Sequence, residues 1–179
     1  MKLKSMASVL VFFGFLSFGS PCAAAAQDNQ AMSSSDRGIK VLADQQLRDG
    51  EILAAIENYK KALSSDSSAR AVYFNLAIAY YTNNQIEEAA KNLETLAKLS
   101  PYDTEAIYNL GCLKLYLGDI QNAEKCFQDA ALFCGPASRF KPLLENGLSF
   151  LNQVKQLDSE KRKMLFLLFR QGAIPAFIP

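Results

Sequence analysis

The chain has 179 residues, half of them hydrophobic, and a formal net charge of +1. This length is enough for one domain with a buried core and an additional segment, and the near-neutral charge excludes the strongly basic surface typical of nucleic-acid-binding proteins. Histidine is absent, which removes the commonest general base and metal ligand.

The stretch 1–26 has the organisation of a secretory signal peptide. Lys2 and Lys4 precede an apolar run from Met6 to Phe18, and the alanines at 24–26 supply the small residues of a cleavage site. We predict cleavage after Ala26 and export, with a periplasmic or secreted location in a bacterial envelope. No membrane span is then expected in the mature chain.

Two alternatives for this segment stay open. The stretch Met6 to Ala26 can be retained as an anchor, although its continuous run is shorter than the roughly 20 apolar residues that a span needs and Pro21 interrupts its end. Cys22 can be a lipidation site, although lipoprotein signals carry a small residue where this chain has Pro21. Cleavage without lipidation agrees best with both observations.

Residues 27–35 are polar and lack periodicity, which predicts a flexible leader. Amphipathic segments of helical period follow in pairs, with Asp36 as the predicted first N-cap and Asp49-Gly50 as the first inner turn. The short connections between these segments favour antiparallel neighbouring helices.

The stretch 70–103 is the clearest of three consecutive repeats, at 36–69, 70–103 and 104–137. Its large and small residues follow the spacing W-x2-L-G-x2-Y and a continuation into the second helix: Tyr73, Leu76, Ala77, Tyr80, Ala89, Leu93, Leu96 and Pro101. The spacing and the length of the repeats resemble those of the tetratricopeptide repeat (TPR). The resemblance implies an all-α fold in which helical hairpins stack into a right-handed superhelix.

Residues 138–171 are predicted to form capping helices over the third repeat, because the terminal unit of a solenoid needs a polar outer face. Residues 172–179 form an apolar, proline-containing tail. Six consecutive apolar residues, 164–169, precede this tail and are too few to cross a bilayer. We expect the helix that carries them to dock on the chain itself and the tail to meet a partner or a second copy.

The sequence lacks the phosphate-binding and metal-binding motifs sought in it. The chain contains neither a glycine-rich phosphate loop nor a C-x-x-C pattern. The prediction is therefore a non-enzymatic protein without a cofactor or metal. A disulfide between Cys112 and Cys126 is conceivable, but partly buried thiols explain Cys112, Cys126 and Cys134 more simply.

In TPR proteins the first helices of successive repeats line a concave face. The resemblance implies a partner-binding groove made of nine residues: Lys40, Phe74, Asn75, Ile78, Tyr81, Tyr108, Asn109, Leu115 and Tyr116. Its apolar members are expected to form an outward-facing aromatic strip, and the two asparagines to bond a peptide backbone. The alternative is that some of these aromatic residues belong to the core.

Lys40 and Asn75 also match part of the clamp with which co-chaperones of this fold hold a peptide carboxy terminus. The other clamp positions hold Asp44, Glu105 and Asn109, and the two acids would repel a carboxylate. The clamp function is therefore not expected.

The sequence thus predicts a protein- or peptide-binding TPR scaffold in an exported compartment, whose partner is not nucleic acid. The alternative is a structural subunit of an envelope complex that uses its apolar C-terminal segment to join the complex or to associate with itself.

Overall fold

The computed structural model describes residues 33–170, and every regular element in that range is an α-helix. The helices are α1 (Ser34–Arg48), α2 (Ile52–Ser65), α3 (Arg70–Thr82), α4 (Ile86–Leu99), α5 (Thr104–Tyr116), α6 (Ile120–Phe133), α7 (Phe140–Gln156) and α8 (Ser159–Arg170). The predicted signal peptide, most of the predicted leader and the predicted tail lie outside this range.

Helix α1 begins earlier than the sequence indicates. The Ser33 hydroxyl accepts a hydrogen bond from the backbone N–H of Asp36 at 3.1 Å and donates one to its carboxylate at 2.6 Å. Ser33 is therefore the N-cap, and the Asp36 carboxylate lies in the first turn, where the helix dipole favours it. The prediction of Asp36 as the cap is wrong, and residues 34 and 35 belong to the helix.

Each inner turn contains one residue with left-handed backbone geometry. Gly50 has φ +81°, Asn84 has φ +58° and Gly118 has φ +81°. These three residues occupy the same position in successive repeats, so the turns recur in the predicted register. Glycine adopts this conformation without a steric cost, and asparagine is among the few other residues that tolerate it.

The described chain forms two compact units, residues 33–106 with α1 to α4 and residues 107–170 with most of α5 and α6 to α8. In the first unit α2 packs against both α1 and α3. Fully buried alanines, among them Ala43, Ala55 and Ala62, allow the backbones to approach closely. The ring of Tyr59, which is also fully buried, fills the space between them.

The core of the second unit is centred on Phe127 of α6, which is completely buried. Its ring lies against the backbone of Gly111 in α5 and of Gly147 in α7. In α7 the position at which a further repeat would carry its small contact residue holds Glu145, which is exposed, and the buried Gly147 makes the close contact. An ion pair of 2.5 Å between Lys155 of α7 and Glu124 of α6 adds a surface contact.

Helix α8 lies on this second unit through Leu165, which is 6% exposed, and through Phe166, whose ring lies over Gly118. The expected intramolecular docking of the C-terminal helix is therefore present. Among the helices between residues 33 and 170, none has the length and apolar character needed to cross a membrane. Within the same residues, no disulfide joins Cys112, Cys126 and Cys134.

Replacement of Gly111 by alanine tests the packing of α5 on α6. A Cβ at Gly111 would lie 2.7 Å from Cε1 of Phe127 and 3.1 Å from Cβ of Cys126. Since the Phe127 ring is completely buried, we expect Gly111→Ala to lower the free energy of unfolding by about 1–3 kcal/mol. Chemical denaturation measures this change.

Gly147→Ala is the matched control. Its Cβ would meet the same ring at 3.4 Å, close to ordinary van der Waals contact, and alanine is better than glycine by about 1 kcal/mol inside a helix. The control should therefore be nearly neutral. Equal destabilisation by both substitutions would contradict the assigned packing.

Candidate functional site

The Asp44 carboxylate on α1 joins three helices of the first unit. It accepts hydrogen bonds from the Lys40 ammonium of its own helix at 2.7 Å, from the Tyr59 hydroxyl of α2 at 2.6 Å and from the Asn75 amide of α3 at 2.8 Å. A carboxylate can accept about four hydrogen bonds, so three donors satisfy most of its capacity. We call these four residues the Asp44 network.

This network is largely shielded from water. The Lys40 and Asp44 side chains are 13% and 18% exposed, and an ion pair at that depth is tolerated only when further hydrogen bonds compensate for lost hydration. Burial, followed by the hydrogen bond to Asp44, raises the pKa of Tyr59 far above its ordinary value. The phenol therefore stays protonated and donates to the carboxylate.

The Asp44 network changes the interpretation of two predicted site residues. Lys40 and Asn75 are predicted to contact a partner, and both donate to Asp44 within the chain, so their partner-binding role stays a prediction. At the sequence level, Asp44 stands at a position of the co-chaperone clamp and is predicted only to repel a peptide carboxylate. One sequence signal could have predicted the network. Lys40 lies one helical turn before Asp44, and Tyr59 on the next helix carries a hydroxyl that can donate to the same carboxylate.

Next to Asn75, α3 presents three half-buried apolar residues, Phe74, Ile78 and Tyr81. Their spacing of four and three residues places them on one side of the helix. Together with the adjoining Asp44 network they form what we call the α3 face. It combines partly accessible apolar surface with polar groups that are already bonded to one another.

The predicted residues of α5 have a different environment. Tyr108 and Leu115 are 3% and 0% exposed, and Asn109 is also buried, whereas Tyr116 is half-buried. The prediction that Tyr108 and Leu115 face outward is therefore wrong. Every residue from 107 to 113 is buried, so this part of α5 is covered around its whole circumference.

The ring of Tyr108 shows how this burial is achieved. It packs against Phe127 and Phe140, with centroid distances of 5.7 and 5.9 Å. These separations are typical of stabilising aromatic pairs. Tyr108 is thus part of the core of the second unit, and the partner-binding role of the other predicted residues stays a prediction.

Burial also decides the chemistry of Cys112. It raises the pKa of the Cys112 thiol to about 12, and it also raises the pKa of the neighbouring Tyr108 hydroxyl. Because the thiolate is the reactive form of cysteine, Cys112 is unsuited to act as a nucleophile. In the part of the chain that the structure describes, no group of three or more acidic or cysteine side chains is arranged to hold a metal ion.

Two tetratricopeptide repeat models match the chain, at residues 41–104 and 104–132. The chain belongs to the tetratricopeptide repeat family. The matched residues include the three left-handed turn positions, which recur with the period of the TPR. The predicted all-α TPR fold is confirmed.

Solved TPR structures are similar to the chain at low sequence identity. The TPR domain of Sgt2 from Aspergillus fumigatus is 21% identical, with a TM-score of 0.59, 75% of this chain covered and 83% of that one. The Yersinia enterocolitica type III secretion chaperone SycD, in complex with a peptide of the translocator YopD, is 16% identical, with a TM-score of 0.64 and coverage of 69% and 97%. The first TPR of Spaghetti (RPAP3), bound to the HSP90 peptide SRMEEVD, is 18% identical, with a TM-score of 0.57 and coverage of 70% and 94%.

Removal of the central carboxylate tests the Asp44 network. Asp44→Ala leaves the Lys40 ammonium, the Tyr59 hydroxyl and the Asn75 amide without this acceptor, so we expect a loss of about 2–3 kcal/mol in the free energy of unfolding. Asp49→Ala is the control, because Asp49, the C-cap of α1, is exposed and accepts from Gln45 of that helix. Its effect should stay within about 0.5 kcal/mol. If chemical denaturation shows that Asp44→Ala and Asp49→Ala lower the free energy of unfolding equally, the stabilising role assigned to the Asp44 network is wrong.

Alkaline pH should weaken the first unit. The pKa of Tyr59 in the folded chain lies above its ordinary value of 10.0, so the folded state holds this proton more tightly than the unfolded state. The stabilisation is complete below about pH 10 and decreases as the pH rises above that value. Unfolding free energies measured from about pH 8 to pH 11 should fall, and Tyr59→Phe should make the fall shallower. A slope unchanged by Tyr59→Phe would contradict this assignment.

Proposed function

We propose that the chain is a non-enzymatic TPR scaffold that captures a protein or peptide segment on the α3 face. The observation that carries the proposal is the half-buried row of Phe74, Ile78 and Tyr81 beside the Asp44 network. The Asn75–Asp44 hydrogen bond fixes α3 against α1, so the row is held on a rigid support. Partly accessible aromatic residues on a rigid surface are typical of binding sites.

The similar structures support this use of the fold. One TPR domain among them is bound to an HSP90 peptide and another protein to a peptide of a translocator. A helical solenoid offers such ligands a surface for an amphipathic helix or an extended segment. We extend this mode of binding to the present chain as a proposal.

The chemistry of the α3 face indicates which part of a partner it accepts. The Lys40 ammonium is already paired with Asp44, and Asp44 adds a negative charge where a ligand carboxylate would lie. A terminal carboxylate is therefore disfavoured. The proposed ligand is an internal segment with large apolar side chains that cover Phe74, Ile78 and Tyr81.

We further propose that the chain acts in an exported compartment after cleavage behind Ala26. Support comes from the basic start at Lys2 and Lys4, the apolar run at 6–18 and the alanines at 24–26. Intact-mass measurement of the protein recovered from the envelope gives the position of its first residue. A chain that still begins at Met1 would exclude cleavage.

Site-specific photo-crosslinking in living cells tests the binding surface. A photo-reactive phenylalanine in place of Phe74 should give a discrete adduct with a partner. The same group in place of Leu53, which is 67% exposed on α2, is the matched control and should give none. The partner found in this way should bind an Ile78→Ser variant about tenfold more weakly, because a buried aliphatic contact is worth roughly 1.5 kcal/mol or more.

Protein stability must be measured in the same experiment. Phe74→Ala is expected to stay folded, whereas Tyr108→Ala should lose about 3 kcal/mol or more of stability because its ring lies in the core. Adducts of equal yield from positions 74 and 53, or partner binding unchanged by Ile78→Ser, would overturn the assignment of the α3 face.

A further inference from the structure

Helix α8 has two chemically different sides. On the inner side, Leu165 is buried and Cδ2 of Phe166 lies 3.4 Å from the position that a Cβ of Gly118 would occupy. On the outer side, Met164 and Leu167 are 57% and 48% exposed. The inner side attaches the helix to the second unit, and two large apolar side chains therefore remain in contact with water.

Charged residues at the start of α8 continue this outer side. Glu160, Lys163, Met164 and Leu167 follow one another at helical spacing and are all exposed. Lys163 pairs with Glu160 at 3.1 Å, and the neighbouring Lys161 pairs with Asp158 at 2.6 Å. Ion pairs so exposed contribute little, so each ammonium can exchange its carboxylate for another anion at a small cost.

Charge and hydrophobicity change sharply after Glu160. From residue 161 to residue 179 the sequence contains four basic residues, Lys161, Arg162, Lys163 and Arg170, and no acidic one. The final stretch, 171–179, is uncharged and includes Ile174, Phe177 and Ile178. The stretch 161–179 is thus basic and apolar, whereas residues 36–137 carry 14 acidic and 10 basic side chains.

We propose that the outer side of α8 docks on an anionic lipid surface. Met164 and Leu167 enter the boundary between headgroups and acyl chains, and the Lys161 and Lys163 ammonium groups meet the lipid phosphates. This is the arrangement of an interfacial helix, which lies along a membrane without crossing it. Two exposed apolar residues and a few charges give weak, reversible attachment.

The orientation of α8 suits this role. The Arg162 guanidinium donates through Nε to the backbone carbonyl of Leu157 at 3.1 Å, at the corner where α7 ends and α8 begins. This bond and the buried Leu165 fix the rotation of α8 about its own axis. The side with Met164 and Leu167 is therefore held outward before any lipid is present.

A second copy of the chain is a poorer occupant for electrostatic reasons. In a symmetric pair the same surface appears on both partners, so the net charge of α8 on one copy would meet the same net charge on the other. Residues 158–170 carry four basic and two acidic side chains, a net charge of +2, and juxtaposed like charges weaken an interface. An anionic bilayer complements the same charge.

A tryptophan placed on α8 gives a direct test, since the chain contains no tryptophan of its own. The full chain carrying Leu167→Trp is mixed with vesicles of phosphatidylcholine alone or of phosphatidylcholine and phosphatidylglycerol in equal parts. We expect a blue shift of the emission only with the anionic vesicles, and its loss at high salt. Leu132→Trp is the matched control, because Leu132 is a 78% exposed leucine at the far end of α6 from Gly118; its emission should not shift.

Vesicle co-sedimentation with the natural residues completes the test. Met164→Ser combined with Leu167→Ser should weaken binding to anionic vesicles about tenfold or more, while Leu132→Ser should not. Both variants change exposed residues, and their melting temperatures confirm that the fold is kept. Because all compared chains have the same N-terminal segment, that segment cannot produce the difference.

Three results would overturn the proposal. The first is an equal shift for Leu167→Trp and Leu132→Trp, and the second is unchanged sedimentation of the double serine variant. The third is that the double serine variant loses a concentration-dependent dimer, or loses its association with an envelope protein complex, while it still binds lipid as the parent chain does. That result would assign the outer side of α8 to protein assembly.

Discussion

Close approach of helices at small side chains is the constraint on which the rest of the structure depends. The same three repeat positions carry small or buried residues in each copy: Ala43, Ala77 and Gly111; Ala55, Ala89 and Ala123; Ala62, Leu96 and Ala130. Where two helix backbones approach at such small residues, large side chains such as Tyr59 and Phe127 fill the spaces left between the neighbouring helices. The residues left for function are those that this packing does not use.

The periodic part of the fold could be predicted from the sequence because its causes are local. Small contact residues, left-handed turns and apolar stripes recur once in every repeat, so each copy supports the register of the others. The terminal elements lack that support. Ser33 caps α1 through a side-chain bond that the repeat pattern does not encode, and α7 makes its close contact at Gly147 instead of at the repeat position of Glu145.

The candidate site was predicted less well, because exposure depends on what lies around each helix. Phe74 and Tyr108 occupy the same repeat position, yet Phe74 is half-buried and Tyr108 packs between Phe127 and Phe140. Likewise, the roles of Lys40 and Asn75 depend on Asp44. Its hydrogen bonds reach three helices, and these helices belong to two different repeats. Family positions identify which side chains share a helix face, and the partners of those side chains decide whether that face is available.

The two proposed surfaces should respond differently to salt because their charges are arranged differently. On the α3 face the Lys40 charge is compensated inside the Asp44 network, and both side chains are largely shielded from solvent, so recognition there depends on apolar contact and changes little with ionic strength. On α8 the lysines are 70% and 75% exposed, and their pairs with Asp158 and Glu160 are exposed as well. Attachment through those lysines is screened by salt over a distance of about 8 Å at physiological ionic strength. Salt should therefore separate the two proposed activities within one chain: we expect capture on the α3 face to persist under conditions in which docking through α8 is lost.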